Sequence, residues 1–534
     1  YSQQEFIESA NVIAKTARIR KRKEMNALEQ VNTFYEVVIG IILPMICGLN
    51  TKYFADNELI KNDLLIDFNI SNKNVNYISC DSRNVKDNSL FLCKGEFFKK
   101  EYLLDALKNG AIAYVSEEKY NIDGVSYFVV SNILKAIGLI AIEFYNNPDK
   151  KLNKIGVTGT KGKTTVTYII HSILEEYVKS KVGLISSIDL YTGMRSEKSH
   201  ITTPESIDIE KYFYEMVQSN IKYATIEVSS QSYKRFRLEG VKFEYGLFLN
   251  IDKDHISGSE HPNFENYLSC KIEFLKNCKN VLINKNTDHF EEIINSVKDK
   301  NIVLFGTDDT ADYYIQDIKR KENGFLFLVK NDKIGYSNKF EIKMQGRFNL
   351  ENALAAIAVS KMLNIDDESI QKGLLKIKVP GRMMVYEKNG RTVIIDYAHN
   401  ALSFKKLYES IKLDYPNRKI ISVGGAVGGK AFNRREDFGK IVGKNSDYIY
   451  LTTDDPQFEK VRDICNEIGR YINDKTKYKI IINRKKAIIS AIKKSEKGDV
   501  IVLLSKGTDN YQRIKNKEVP YESDVKIVED LIKS

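Results

Sequence analysis

The 534-residue sequence has no tryptophan, only eight prolines and six histidines, and six cysteines that stand far apart. Cysteines 47, 80, 93, 270, 278 and 465 form no C-x-x-C and no metal-ligand rhythm, which excludes a zinc ribbon and a disulfide-stapled scaffold. Dispersed thiols suit a reducing compartment, so a cytoplasmic protein is expected. Long apolar runs are missing too. The strongest, Val37 to Leu49, is about 13 residues and is interrupted by Pro44, whereas a bilayer-spanning helix takes roughly 20 residues. No integral membrane segment is expected. The basic stretch Arg18 to Lys23 ahead of that run is followed by no small-residue cleavage site, which argues against a signal peptide. Blocks of one charge are also absent. The net charge of +11 is spread among interleaved acids, which disfavours nucleic acid as a partner and suits anionic small molecules.

What is present is an ordinary globular balance, 43% hydrophobic and 29% charged, which excludes a disordered chain. The length suits three or four domains, and a monomer is expected. Residues 1–47 read as a helical extension without an assignable role. Residues 48–150 read as a small α/β unit, with strand-like Ser89 to Cys93 and Gly110 to Val115. From Lys151 strands and helices alternate: a strand at Lys154 to Thr158, a helix at Thr164 to Val178, and buried strands at Tyr223 to Val228 and Tyr245 to Ile251. A helix from Leu350 to Leu363 closes this stretch. Such alternation predicts a mostly parallel sheet with helices on both faces over residues 151–378. Val379-Pro380-Gly381 breaks the pattern. A third α/β set, residues 379–534, has strands at Thr392 to Ile395, Lys419 to Val423, Tyr448 to Thr452 and Val500 to Leu504.

The segment from Gly156 through Gly159-Thr160-Lys161-Gly162-Lys163-Thr164-Thr165 follows a strand and opens a helix. Glycines there let backbone N–H groups converge on phosphate oxygens, and the helix N-terminus adds favourable partial charge. Lys163 is expected on the outer phosphates and the Thr164 hydroxyl on Mg²⁺. Val157 stands where the general phosphate loop has its first glycine. A merely structural glycine-rich turn is the plain alternative.

Glu227 ends the strand Tyr223 to Val228, and the next strand ends at Asn250-Ile251-Asp252-Lys253-Asp254-His255. Carboxylates at the C-terminal ends of parallel strands stand in the crevice where ligands bind. His255 alone reads as a loop histidine; beside Glu227 it reads as a metal ligand. Lys271 falls within the apolar stripe Phe264, Tyr267, Leu268, Phe274 and Leu275 of a helix. A lysine there is costly unless it is paired, chemically altered, or able to snorkel to the surface.

Thr-Gly-Thr-x-Gly-Lys-Thr-Thr at 158–165 resembles the loop of the Mur ligases and folylpolyglutamate synthetases, which join an amino acid to a carboxylate using ATP. Glu227-Val-Ser-Ser, Asp254-His255 and the helix of Lys271 are similar to the Mur ligases' central motifs. The resemblance runs from about Gly48 to the C-terminus. It implies three domains: a central P-loop parallel-sheet ATPase, an N-terminal UDP-binding α/β domain and a C-terminal Rossmann-like domain. It also implies carbamylation of Lys271 by CO₂, one Mg²⁺ on Thr164 and Glu227, and a second on His255 and carbamylated Lys271. Lys163, Glu227, His255 and Lys271 would be the catalytic set. Gly346 to Ala353, with Asn349 and Asn352, resembles the adenine-side motif, and Arg382 and Asp396 match positions that contact ATP.

Asp396-Tyr397-Ala398-His399-Asn400 resembles the branch that extends UDP-N-acetylmuramoyl-L-alanyl-D-glutamate (the MurE type), although Ala401 replaces a usual proline. The roughly 100 residues ahead of the loop agree, since folylpolyglutamate synthetases begin almost at it. The resemblance puts Ser82 and Arg83 on UDP, and Thr202, Thr203, Ser229, Arg235 and Arg237 on the muramoyl-dipeptide. The reaction implied passes through an acyl phosphate. Diaminopimelate-adding members carry Asp-Asn-Pro-Arg where this chain has Asp454-Asp455-Pro456-Gln457. Glutamine cannot supply a bidentate, charge-assisted grip on a carboxylate. With Asp509 keeping an acid nearby, the pocket favours an ammonium-ended side chain. L-Lysine is therefore the expected substrate. The segments carrying Arg434 and Arg435 and His255 to Pro262 also resemble the lysine-adding branch. Diaminopimelate, ornithine or lanthionine addition, the D-Ala-D-Ala-adding relative, a non-catalytic Mur-like partner and a nucleic-acid-stimulated ATPase are the competing readings.

Overall fold

The computed structural model describes residues 49–50, 62–69, 73–96, 98–254, 256, 260–473 and 475–533. The extension expected over residues 1–47 and the metal-ligand role expected of His255 lie outside the described residues. The chain divides into two compact units, Tyr1–Asn147 and Pro148–Ser534.

In the first unit, strands β1 (Leu65–Asn69), β2 (Tyr77–Ser79), β3 (Ser89–Leu92), β4 (Ala111–Ser116) and β5 (Ser126–Val130) form one sheet in the order β1-β5-β4-β3-β2. All contacts but β1–β5 are parallel. Helices α1 (Lys100–Lys108) and α2 (Ile133–Phe144) connect and cover it.

The second unit holds two large sheets. The first begins with β6 (Asn153–Thr158), α3 (Lys163–Val178), β7 (Gly183–Ile185), β8 (Asp189–Tyr191), β9 (Ser196–Lys198) and α4 (Ser206–Gln218). It continues with β10 (Tyr223–Glu227), α5 (Ser230–Lys234), β11 (Phe243–Phe248), α6 (Phe264–Lys276), β12 (Cys278–Asn284), α7 (Phe290–Asn295) and β13 (Asn301–Gly306). The strands β14 (Tyr313–Lys321), β15 (Gly324–Asn331) and β16 (Tyr336–Ile342) complete it, followed by α8 (Phe348–Met362) and α9 (Asp367–Lys376). The order is β9-β8-β7-β10-β6-β11-β12-β13-β14-β15-β16. From β7 to β14 neighbours run parallel, and antiparallel strands extend both edges. Its middle strands are apolar on both faces because helices cover both. Gly156 is required where β6 passes under α6: a Cβ there would lie 2.6 Å from the Phe274 ring.

The second sheet contains β17 (Met384–Lys388), β18 (Arg391–Asp396), α10 (Ala401–Asp414), β19 (Ile420–Gly424), β20 (Tyr448–Leu451), α11 (Val461–Arg470), β21 (Lys477–Ile480), α12 (Arg484–Lys494) and β22 (Val500–Leu504). The hairpin β23 (Tyr511–Ile514) and β24 (Lys517–Pro520) and the helix α13 (Asp524–Lys533) come last. Strand order is β17-β18-β22-β19-β20-β21, parallel except for β17–β18. Side chains alternate between its faces. Ile394, Val502 and Leu451 join the core with α10 and α11, while Val393, Leu503 and Tyr450 join the core with α12 and α13. The architecture is α/β with several sheets.

The five cysteines among the described residues, 80, 93, 270, 278 and 465, are free. Among the described residues no helix is long and apolar enough to cross a membrane.

Candidate active site

The loop after β6, Glu227, Lys271, Asp396, His399 and Asp509 line a cleft of about 830 Å³ within the second unit, along the C-terminal ends of β6, β10 and β18. Parallel neighbours β6 and β10 place their ends at one edge of the first large sheet, and the end of β18 in the second large sheet lines the same cleft.

The loop after β6 holds its shape through two left-handed glycines. Gly159 has φ +154° and Gly162 has φ +86°, and a Cβ on Gly162 would meet Asn352 Oδ1 at 2.6 Å. Gly162 caps α3, whose first residue is Lys163. Asn250, just past β11, clamps the loop: its Oδ1 accepts from the Lys161 N–H at 2.8 Å and its Nδ2 donates to the Lys161 carbonyl at 3.0 Å. Val157 is buried inside β6, paired with Glu227 and Leu247, so a glycine there is unnecessary for the turn. Lys163 Nζ donates to the carbonyls of Gly159 (3.0 Å) and Thr160 (3.2 Å). Burial depresses its pKa, and Glu227 and Asp254 partly restore it.

Glu227, 2% exposed, ends β10 beside that loop. Its Oε2 accepts from the Thr164 hydroxyl (3.1 Å), the Ser187 N–H (2.9 Å) and the Ser187 hydroxyl (2.8 Å). Thr203 donates to the Glu227 carbonyl and accepts from the Ser229 N–H. Thr202, Ser229, Arg235 and Arg237 line the cleft nearby. Arg237 is already paired with Glu205 at 2.6 Å.

Lys271 lies in the buried face of α6, as its place in the stripe requires, and is 1% exposed. It does not snorkel. Its Nζ donates to the Gly159 carbonyl at 2.8 Å and stands 4.7 Å from the Tyr267 ring centroid. Burial and neighbouring Lys163 hold its pKa well below the ordinary lysine value. A neutral amine facing the loop is the form that reacts with CO₂.

The opposite wall comes from β18 and the loop that leads from it into α10. Asp396 accepts from the Met383 and Ala398 N–H groups at 2.8 Å each. Burial lifts its pKa against the pull of Arg382. The Arg382 guanidinium sits 4.3 Å from the Tyr397 ring centroid. His399 Nδ1 is 2.8 Å from the Tyr397 carbonyl, so that nitrogen carries the proton, and Nε2 accepts from Lys161 Nζ at 3.0 Å. Burial, with Lys161 and Arg434 nearby, keeps His399 neutral. Burial also pushes Lys161 down to about 7. Asn349 and Asn352 lie one turn apart on α8, joined by a 2.8 Å bond, and Asn352 reaches the cleft.

Asp254 joins the two walls. Its carboxylate accepts from Arg434 Nη2 at 2.9 Å and from Asn400 Nδ2, and Lys161 Nζ stands 3.6 Å away.

The acids read as the amino-acid pocket surround a lysine. Lys506, 1% exposed, reaches Asp455 at 2.9 Å and Asp509 at 3.2 Å. Burial lowers its pKa, but Asp454, Asp509 and Asp455 together lift it above the usual value. Burial pushes Asp454 up to about 6, with Lys506 opposing. Asp509 lines the cleft, and Tyr397 donates to it at 3.4 Å. Arg435 lies between Glu459 (2.7 Å) and Glu467 (2.6 Å), away from the cleft lining. The Gln457 side chain accepts from the Asn516 N–H at 3.1 Å. In the first unit, Arg83 pairs with Asp81, which caps the turn Ser82–Asn84.

Sequence reasoning misses Ser187 and Arg513, and gives Asn250, Asp254 and His399 no role of their own. Asn250 and Asp254 come just after a buried strand, a position that marks them as candidates; Ser187 and Arg513 carry no local signal.

Residues 157–360 match the Mur ligase middle domain and residues 381–507 the Mur ligase glutamate ligase domain. The chain is 40% identical over 487 residues to a UDP-N-acetylmuramyl-tripeptide synthetase of Ligilactobacillus salivarius, covering 86% of this chain and 94% of that one. It is 35% identical over 470 residues to the UDP-N-acetylmuramoyl-L-alanyl-D-glutamate–L-lysine ligase of Enterococcus faecalis, covering 87% and 92%. Among solved structures, a UDP-N-acetylmuramoyl-L-alanyl-D-glutamate–2,6-diaminopimelate ligase matches with a TM-score of 0.64 at 23% identity, covering 91% and 99%.

Proposed function

Because the chain belongs to the Mur ligase family, we propose that it adds the third amino acid, L-lysine, to UDP-N-acetylmuramoyl-L-alanyl-D-glutamate at the expense of ATP. The observation that carries this reading is one cleft lined both by the phosphate-type loop with Glu227 and by Asp509, which Lys506 joins to Asp455 behind it. The relatives' names support it.

The D-glutamate carboxylate oxygen attacks the γ-phosphorus, ADP leaves, and an acyl phosphate forms. The amino group of lysine then attacks the acyl carbon, losing a proton as phosphate departs with the transferred oxygen. Loop N–H groups and the N-terminus of α3 bind the phosphates. Lys163 turns from the Gly159 and Thr160 carbonyls to the γ-phosphate, where its charge counts most as the bond forms. Gly159 to Thr165, Asn349, Asn352, Arg382 and Asp396 hold ATP. Ser82 and Arg83 hold UDP; Thr202, Thr203, Ser229, Arg235 and Arg237 hold the dipeptide. Asp454, Asp455 and Asp509 receive the lysine ammonium, with Arg434, Arg435 and Gln457 shaping the wall behind them.

The Thr164 hydroxyl and the Glu227 carboxylate, 3.1 Å apart, are hard oxygen donors that fit Mg²⁺. When bound, Mg²⁺ neutralises phosphate charge. Carbamylation of Lys271 would turn its low-pKa amine into a carboxylate-like anion able to hold a second Mg²⁺ with His255. Lys506 leaves the three acids with an excess of negative charge, which favours an ammonium-ended substrate. The reading also places a monomer in the cytoplasm.

The test is phosphate release from ATP and the UDP-dipeptide with L-lysine, meso-diaminopimelate or no amino acid. Lysine-dependent release, with a product heavier by one lysine residue, is expected. Release with diaminopimelate alone would keep the ligase and overturn the lysine assignment. No stimulation by any amino acid would overturn both.

A further inference from the structure

Resting on the ligase reading above, we propose that Arg513 receives the α-carboxylate of the incoming amino acid. An amino-acid nucleophile brings that carboxylate into the cleft beside its attacking amine, and an anion leaving water needs a cation, best a guanidinium. Most cations of this wall are already committed. Arg434 is paired with Asp254 at 2.9 Å, Arg435 lies between Glu459 and Glu467, and Lys506 is buried among acids. Arg484, fully buried, is paired with Asp524.

Arg513 differs. It lines the cleft with Asp509 and Tyr511, and its side chain is 39% exposed. Its close carboxylate among the described residues is Glu518, 3.2 Å away and itself 46% exposed. Such an exposed pair contributes little and yields easily to a better-placed anion.

The position of Arg513 is fixed by the acid pocket. Its N–H donates to Asp455 Oδ1 at 3.1 Å, the same oxygen that accepts from Lys506. Its carbonyl accepts from the Gln457 N–H at 3.0 Å. The Gln457 side chain accepts from the Asn516 N–H, tying down the turn of the β23–β24 hairpin. Gln457 therefore supplies no charge but staples the hairpin that does. Lys506 and Arg513 both lie against the Tyr511 ring, at 5.1 and 5.3 Å from its centroid. Ammonium-reading acids and a carboxylate-reading guanidinium are thus tied to one backbone frame, and they carry the two charges that an α-amino acid with a distal ammonium needs.

The experiment compares the unmodified enzyme with Arg513→Gln and Arg513→Lys, using L-lysine and L-lysinamide as acceptors. The amide keeps both amines but has no carboxylate charge. Arg513→Gln is expected to raise the KM for lysine by about ten- to a hundred-fold, the scale of one lost charge-assisted bond. It should change kcat/KM for lysinamide less than about twofold and leave the KM for ATP unaltered. Arg513→Lys should recover part of the lysine KM. Equal losses on lysine and lysinamide, or an unchanged lysine KM, would overturn the proposal. If the unmodified enzyme uses another amino acid instead of lysine, the specificity reading fails separately, and the same comparison with that amino acid and its amide still decides Arg513. Activity with no amino acid at all overturns both.

Discussion

Replacing Asp254 by Asn keeps the side chain's shape and removes its charge, which isolates what that carboxylate holds together. Its side chain is 2% exposed and faces Arg434 at 2.9 Å and Lys161 at 3.6 Å. Removing one partner of a buried ion pair costs roughly 3–5 kcal/mol, since the other charge stays desolvated. The two cations respond differently. Lys161, pushed down to about 7 by burial, escapes by losing its proton. Arg434 cannot. The folded chain binds fewer protons at Lys161 than the unfolded chain between about 7 and the ordinary 10.5, so this group makes stability rise with pH across that window. Below about 7 Lys161 is charged in the unmodified protein and relies on Asp254. The variant's deficit should therefore be largest below pH 7 and shrink above it to the Arg434 share, about 3 kcal/mol. Urea unfolding at pH 6 and pH 8.5 measures the deficit. Because Asp254 joins the loop side to Asn400 and Arg434, kcat/KM should also fall about 30-fold, equivalent to about 2 kcal/mol. Adding Arg434→Met should recover most of the stability and none of the activity. A variant with unaltered unfolding midpoint and unaltered turnover would refute the reasoning.

The same geometry sets other outcomes. Lys271→Ala should lose at least about a hundred-fold in turnover, and acetate or formate should restore part of it by replacing a carbamate; rescue by methylamine instead would contradict carbamylation. Gly162→Ala would press a methyl against Asn352 at 2.6 Å in a left-handed turn, so ATP binding measured by calorimetry should weaken at least tenfold while the melting temperature moves little. Asp454 has a folded-state pKa raised to about 6 from 3.8, so the folded chain holds the extra proton between those values and the group's stability contribution falls as pH rises through them. In activity, protonation removes negative charge from the pocket, so the KM for lysine should rise as pH drops below about 6, and Asp454→Asn should flatten that rise. Arg484→Met should destabilise by about 3–5 kcal/mol in urea, whereas Arg484→Met with Asp524→Leu should fall far less.

Much of the fold is legible in the chain because buried parallel strands are continuous apolar runs. Val500–Leu504 is a strand over the same residues that the apolar run predicts, and β6, β10 and β18 agree within a residue or two. The outer part of β14 escapes such a reading, because Gln316 to Lys321 are exposed and carry no apolar pattern. Lys271 is legible because a cation in a helical stripe breaks a local rule. Its carbonyl partner on the loop is not, since Gly159 is 112 residues away. The acid cluster is visible as letters, but not that Lys506 sits at its centre. Arg434 and Arg435 read alike in sequence, yet one pairs with Asp254 and the other with Glu459 and Glu467. Arg513 lies on a short hairpin whose sequence reveals nothing of Asp455, and only the long-range bond to that carboxylate marks it.

The central claim is that phosphate moves from ATP onto the substrate's carboxylate before the amide forms. The measurement is the oxygen-18 content of released phosphate when UDP-N-acetylmuramoyl-L-alanyl-D-glutamate carries the label in its glutamate carboxylates and L-lysine is the acceptor. One labelled oxygen in each phosphate, with ADP as the nucleotide product, is the predicted result. Unlabelled phosphate, or label appearing in AMP, would contradict it.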